Sequence, residues 1–151
     1  MKIRIEIDQT AEREIIIRTP AIDDEVLKIQ SALERVSSTG EIALKNGSGE
    51  IFVRHSEICF FEVNGEHTYA HTAKECYTTP MRLFELEGIL PGTFCRASKS
   101  VLLNTMKVRS LTRSPTGVGE ASFSGSEKRT FISRMYYKSV RDVIEEVRLN
   151  K

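Results

Sequence analysis

At 151 residues and 17.1 kDa, the chain sets an expectation of one domain, or one domain with a short extension. Hydrophobic residues at 40% and charged residues at 28% are a globular composition, which excludes wholesale disorder. The formal charge of +1 hides a split: Thr93–Arg141 holds ten basic and two acidic side chains, net +8, and the rest nets −7.

Residues 1–40 read as a small ββα unit. Ile3, Ile5 and Ile7 alternate with Lys2, Arg4, Glu6 and Asp8, the period of a half-buried strand, and Ile15-Ile16-Ile17 is a second β-rich run. From Asp23 the period lengthens: Val26, Ile29, Leu33 and Val36 lie on one helical stripe, with Asp23, Asp24 and Glu25 at the positive end of its dipole. Ser37–Gly40 breaks the pattern and is the expected linker to a second unit, residues 41–151.

That second unit opens with two hairpins. Glu41–Lys45 and Glu50–Arg54 flank Asn46–Gly49, and Ile58–Val63 and Glu66–Ala73 flank Asn64-Gly65. Thr79-Pro80 predicts a helix start, Leu83, Leu86 and Leu90 its buried stripe, and Pro91-Gly92 its stop. Short strands are expected at Ser100–Leu103, Lys107–Thr112, Ala121–Ser124 and Thr130–Ser133, with a loop at Arg113–Gly119. Val140, Val143, Ile144 and Val147 predict a closing amphipathic helix. The fold class is mainly β with a few helices (α+β), built on antiparallel sheet.

No run approaches the ~18–20 apolar residues that span a bilayer. The opening MKIRIEIDQ lacks a signal peptide's apolar core, and three cysteines without a CxxC pair fit a reducing cytoplasm. The common phosphate-binding, dinucleotide, hydrolase and zincin motifs are absent, so an enzyme is not expected, nor a cofactor or a small-molecule substrate. His67 and His71 have helical metal-pair spacing but lie in a strand pattern, where they would stand ~13 Å apart. No metal is expected there. Cys95 adjoins Arg96, which could lower a thiol's pKa; the plainer reading is a semi-buried side chain. The local +8 on an otherwise acidic chain is the footprint of a polyanion binder.

Several segments together resemble the LytTR DNA-binding domain of bacterial transcription regulators. Ser56–Val63 is similar to that family's Asp/Glu-Ile-x-Tyr/Phe-Phe-Glu strand, and Leu83–Leu90 followed by Pro91-Gly92-Thr93-Phe94 to its short helix, Leu-Pro and Phe. Phe94-Cys95-Arg96-Ala97-Ser98-Lys99-Ser100-Val101-Leu102-Leu103-Asn104 resembles its Phe-x-Arg-x-His-Arg/Lys/Asn-Ser-apolar-Asn motif, and Ile132–Tyr137 its Val-Ser-Arg-Arg-Tyr segment. The match covers roughly residues 41–145 in order.

The resemblance implies an elongated β fold that lays loops, not a recognition helix, into successive major grooves of double-stranded DNA. Carried over residue by residue, it places contacts at His67, at Arg96, Ser98, Lys99 and Ser100, and at Arg134 with its neighbour Lys138. Arg and Lys suit phosphates and guanine edges, and Ser suits either. Asn104 is assigned a structural role, satisfying backbone groups at a strand end. Ser98 departs from the family's His and reaches less far. Residues 1–40 are too short for the family's usual receiver domain, so aspartyl phosphorylation is not the expected switch.

The resulting expectation is a sequence-specific regulator that binds a repeat-containing promoter site as a homodimer. The isoleucine faces of residues 1–40 would supply the self-association. Stand-alone members of the family often pair with a small membrane-protein inhibitor, a partner the resemblance implies. The competing reading is a protein-interaction or anti-activator module that keeps the fold without specific DNA binding. The missing motif His favours that reading, and the +8 stretch opposes it.

Overall fold

The first helix begins where a carboxylate can cap it. In the computed structural model, which describes residues 1–10, 14–37 and 40–149, Asp23 Oδ1 accepts the backbone N–H of Val26 at 3.0 Å. Helix α1 follows over Asp24–Ser37, with Asp24 and Glu25 in its first turn as expected. Its stripe residues Val26, Ile29 and Leu33 are half-buried, while the side chain of Val36 lies outside the described part.

The two strands expected before it are not formed. Residues 1–10 and 14–22 hold no hydrogen-bonded strand, and Ile3, Ile5, Ile7, Ile15, Ile16 and Ile17 are all exposed. A period-2 pattern names the face a strand would bury, but it does not supply a neighbour for the backbone groups. The linker expected at Ser37–Gly40 falls mostly outside the described residues.

From Gly40 the chain is strand-rich. Gly47 (φ +63°) and Gly65 (φ +66°) adopt left-handed backbone that a Cβ disfavours. They turn β1 (Glu41–Asn46) onto β2 (Gly49–Arg54) and β3 (Ile58–Asn64) onto β4 (His67–Thr72). An unexpected strand, β5 (Cys76–Thr79), pairs with both β4 and β1. Because Thr79 still pairs with Thr68, helix α2 waits until Leu83 and runs to Ile89. Glu85 Oε1 accepts the Arg82 backbone N–H there at 3.2 Å.

β6 (Phe94–Ser98) and β7 (Val101–Asn104) complete a seven-stranded antiparallel sheet of order β2-β1-β5-β4-β3-β7-β6. β8 (Val108–Arg113), β9 (Gly119–Phe123) and β10 (Arg129–Ile132) form a second sheet, and α3 spans Arg134–Leu149. The large sheet is covered on both faces. Phe61 and Leu102 face Leu83, Leu86 and Leu90 of α2. Phe60 and Leu103 face Phe123, Ile132, Tyr137, Val140 and Ile144. A bulge between Ile58 and Phe60 lets Cys59 join Phe60 on that second side.

His71 sits at this second interface. Its ring stacks on Phe60 with centroids 4.4 Å apart, and its Nδ1 lies 3.3 Å from Lys128 Nζ. Burial, then the Lys128 charge, lowers its pKa to about 4. The fold therefore holds His71 neutral where the unfolded chain, at 6.5, would bind a proton. Stability is lost as pH falls from 6.5 toward 4, and His55, also lowered by burial, adds in the same direction. The full shift corresponds to about 3 kcal/mol, and solvent screening of the partly exposed ring reduces the expected loss across that window to about 2 kcal/mol. Urea unfolding at a series of pH values should show the loss, and His71→Phe, which keeps the ring stack, should flatten it. An equal slope in both proteins would refute the assignment.

Candidate nucleic-acid interface

β7 runs antiparallel between β3 and β6, so the end of β3, the start of β7 and the end of β6 meet at one end of the sheet. Two backbone hydrogen bonds tie the neighbouring segments there. Val63 N–H donates to Ser100 O at 2.8 Å, and Ser133 N–H donates to Ala97 O at 2.9 Å. The first joins the end of β3, next to the β3–β4 turn, to the β6–β7 turn. The second joins β6 to the start of α3. All three segments singled out from sequence thus come together.

His67 opens β4, pairs with Asn64 across the turn and is exposed. Lys99 and Ser100 form the exposed tip of the β6–β7 turn. Ser98 Oγ accepts the Ser100 N–H at 3.2 Å, so this hydroxyl shapes the turn. Arg96 is braced from both sides. It forms an ion pair with Glu87 at 2.9 Å and donates from Nη1 to Lys99 O at 2.8 Å. The irregular segment Phe94–Ser98 carries a bulge between Arg96 and Ser98, which frees the Ala97 carbonyl for Ser133.

Arg134 and Lys138 lie on α3, not on a loop, because that helix begins directly after β10. The backbone N–H groups of Tyr136 and Tyr137 donate to Ser133 O at 3.0 and 3.1 Å. Four residues apart, Arg134 and Lys138 share a helix face, and both are exposed.

A further cation belongs to this end of the molecule and was not singled out as a contact. The Arg113 guanidinium lies 4.7 Å over the Tyr137 ring, and its Nε donates to Gly117 O at 3.3 Å. Gly117 (φ +91°) packs against the stem of Arg134 so closely that a Cβ would stand 2.8 Å from Cδ. Its sequence signal is Arg113-Ser114-Pro115-Thr116-Gly117, a basic residue leading into a proline-glycine turn between two strands.

Not every basic side chain of the +8 stretch is available. Arg96, Arg129 and Arg141 are ion-paired with Glu87, Glu120 and Glu145, and Lys128 donates to Glu75 O. Cys95 is no thiolate, since burial pushes its pKa up to about 11 and the Arg96 guanidinium is turned to Glu87. His71 lies 4.0 Å from Cys76 Sγ, yet no group of three or more metal-ligating side chains gathers among the described residues. No helix of the described residues is long and apolar enough to cross a membrane.

The chain is similar to an uncharacterised HTH-type transcriptional regulator of Staphylococcus aureus strain MSSA476, 27% identical over 143 residues, spanning 94% of this chain and 97% of the relative. A counterpart in the bovine strain RF122 is 28% identical over 144 residues, with the same coverage. Among the described residues no two helices are consecutive, so this chain shows no helix-turn-helix. Its fold matches the LytTr DNA-binding domain of a Bacillus cereus protein described as a methyl-accepting/DNA response regulator. That match has a TM-score of 0.65 and 22% identity, over 71% of this chain and 98% of the other. Residues 48–145 match the LytTr DNA-binding domain family over most of the two-sheet unit, and the chain belongs to that family, one of DNA-binding transcription regulators and not of enzymes.

Proposed function

We propose that the chain is a cytoplasmic, sequence-specific regulator that binds a repeat-containing promoter site as a homodimer. The β3–β4 turn, the β6–β7 turn and the first turn of α3 enter successive major grooves. One observation carries this reading: backbone bonds from Val63 to Ser100 and from Ser133 to Ala97 fix three segments with exposed polar or cationic side chains side by side. Lys99 and Arg134 donate to phosphates or to guanine O6 and N7, Lys138 and Ser100 to phosphates, and His67 reaches the neighbouring groove. Arg96, held by Glu87, supports the turn that presents Lys99.

Fluorescence anisotropy with promoter duplexes tests the assignment. Lys99→Ala and Arg134→Ala should each weaken specific binding by ~1–3 kcal/mol with the circular dichroism spectrum unchanged. A base-contacting residue relaxes preference at one position, and a phosphate-contacting residue lowers affinity evenly. Arg96→Ala should weaken binding by releasing the turn. Three variants that titrate like wild type would overturn the proposed site.

A further inference from the structure

The segment Lys2–Asp8 is self-complementary in charge. Lys2 and Arg4 precede the midpoint Ile5, Glu6 and Asp8 follow it, and Ile3, Ile5 and Ile7 occupy the alternate positions. In the structure these isoleucines are 81%, 83% and 91% exposed. Arg4 and Glu6 form an ion pair at 2.9 Å whose side chains are largely in solvent. Among the described residues the two core clusters contain none before Ile42, so Val26, Ile29, Leu33 and the three N-terminal isoleucines belong to neither core. The three isoleucines are left to solvent, and the Val26, Ile29 and Leu33 stripe is only half covered.

We infer that two copies of the chain dimerise by pairing Lys2–Asp8 antiparallel about a two-fold axis through Ile5. This deepens the homodimer of the proposed function but stands on residues outside the family match. In that register Lys2 opposes the partner's Asp8, Arg4 the partner's Glu6, and Ile3 the partner's Ile7. Ile5 meets the partner's Ile5. All four charged cross-strand pairs are attractive, and the six isoleucines share one face. A parallel, in-register ribbon would instead set Lys2 on Lys2 and Glu6 on Glu6, which cross-strand pairing disfavours. A two-fold interface must be self-complementary, and this sequence is. The apolar face of the ribbon is then covered by the Val26, Ile29 and Leu33 stripes of the two α1 helices. Two units of ~40 residues, each too small for a sufficient core, together reach a size that supports one.

Charge reversal in the full-length chain tests this. Lys2→Glu/Arg4→Glu makes the segment wholly acidic and Glu6→Lys/Asp8→Lys makes it wholly basic. Sedimentation velocity should show wild type as a dimer at micromolar concentration and each variant dissociating roughly tenfold more readily or worse. An equal mixture of the two variants should recover the dimer. For the register, in a Cys76→Ser background, Ile5→Cys should cross-link on oxidation and Ile3→Cys should not. A monomeric wild type, self-association unchanged in both charge variants, or equal cross-linking at both positions would overturn the inference. Binding of each charge variant to a single half-site duplex should stay at the wild-type level. Its loss would count against the assigned DNA interface, so the two readings fail separately.

Discussion

Raising the salt concentration from 0.05 to 0.2 M should weaken binding to the promoter duplex by about three to four orders of magnitude. The argument is a count of charges. Each phosphate neutralised by Lys or Arg releases condensed counterions, which contributes ~0.9 to the slope of log affinity against log salt. Of the basic side chains in the +8 stretch, Arg96, Arg129 and Arg141 already face carboxylates. At the Lys99 end of the sheet, Lys99, Arg134 and Lys138 are in no ion pair among the described residues, and Arg113 lies over Tyr137 beside Arg134, while Lys107 and Arg109 lie at the other end of β7. About five to eight phosphate contacts from this set and the partner copy give a slope of roughly −5 to −7. Anisotropy titrations across that range measure the slope directly. A salt-insensitive signal, or equal affinity for random and promoter DNA at about 0.15 M salt, would reject the regulator reading and favour the protein-interaction alternative.

Much of this was legible in the sequence, because the signals were local. Asn64-Gly65 specifies a tight turn by itself, and Leu83, Leu86 and Leu90 mark a stripe that the structure buries against Phe61 and Leu102. What the sequence did not disclose depends on partners distant along the chain. β5 is only Cys76–Thr79 and exists because β4 and β1 offer it hydrogen bonds on both sides. β6 escaped the period-2 reading because both its faces meet core, Phe94 in one cluster and Ala97 with Cys95 against the other, so apolar and polar residues do not alternate. The expected strands show the converse: Lys2–Asp8 has a clear period and Ile15–Ile17 a β-rich run, but neither has a neighbour to pair with among the described residues.

The interface divides in the same way. The motif alone pointed to His67, and motif and charge together pointed to Lys99 and Arg134. They could not show that Arg96 is occupied by Glu87, or that Ser98 spends its hydroxyl on Ser100 N–H. The place of Arg113 needs Tyr137 and Gly117, contributed by two other segments.

Asn104→Ala should lower the free energy of unfolding by roughly 3 kcal/mol, the largest stability effect we expect from one side chain. Asn104 is only 2% exposed, at the end of β7. Its Nδ2 donates to Ile58 O at 2.8 Å and His55 O at 3.3 Å, and its Oδ1 accepts the Met106 N–H at 3.1 Å. One amide therefore ties the β2–β3 connection to the β7–β8 connection. Truncation takes this partner from Ile58 O and the Met106 N–H, a desolvation loss that no new contact offsets, while His55 O keeps the Ile58 N–H. Asn104→Asp separates hydrogen bonding from volume. The ionised side chain can still accept from Met106, but it turns an oxygen toward the two carbonyls, so at pH 7 it should destabilise at least as much as alanine. Acidification should return part of that loss, because a protonated carboxyl can donate to Ile58 O. Urea unfolding followed by circular dichroism measures both variants, and an alanine variant within about 1 kcal/mol of wild type would contradict the clamp. The charged tip at Lys99 lies at the opposite end of β7, so the folded fraction of Asn104→Ala should keep its DNA affinity while the fold around it weakens.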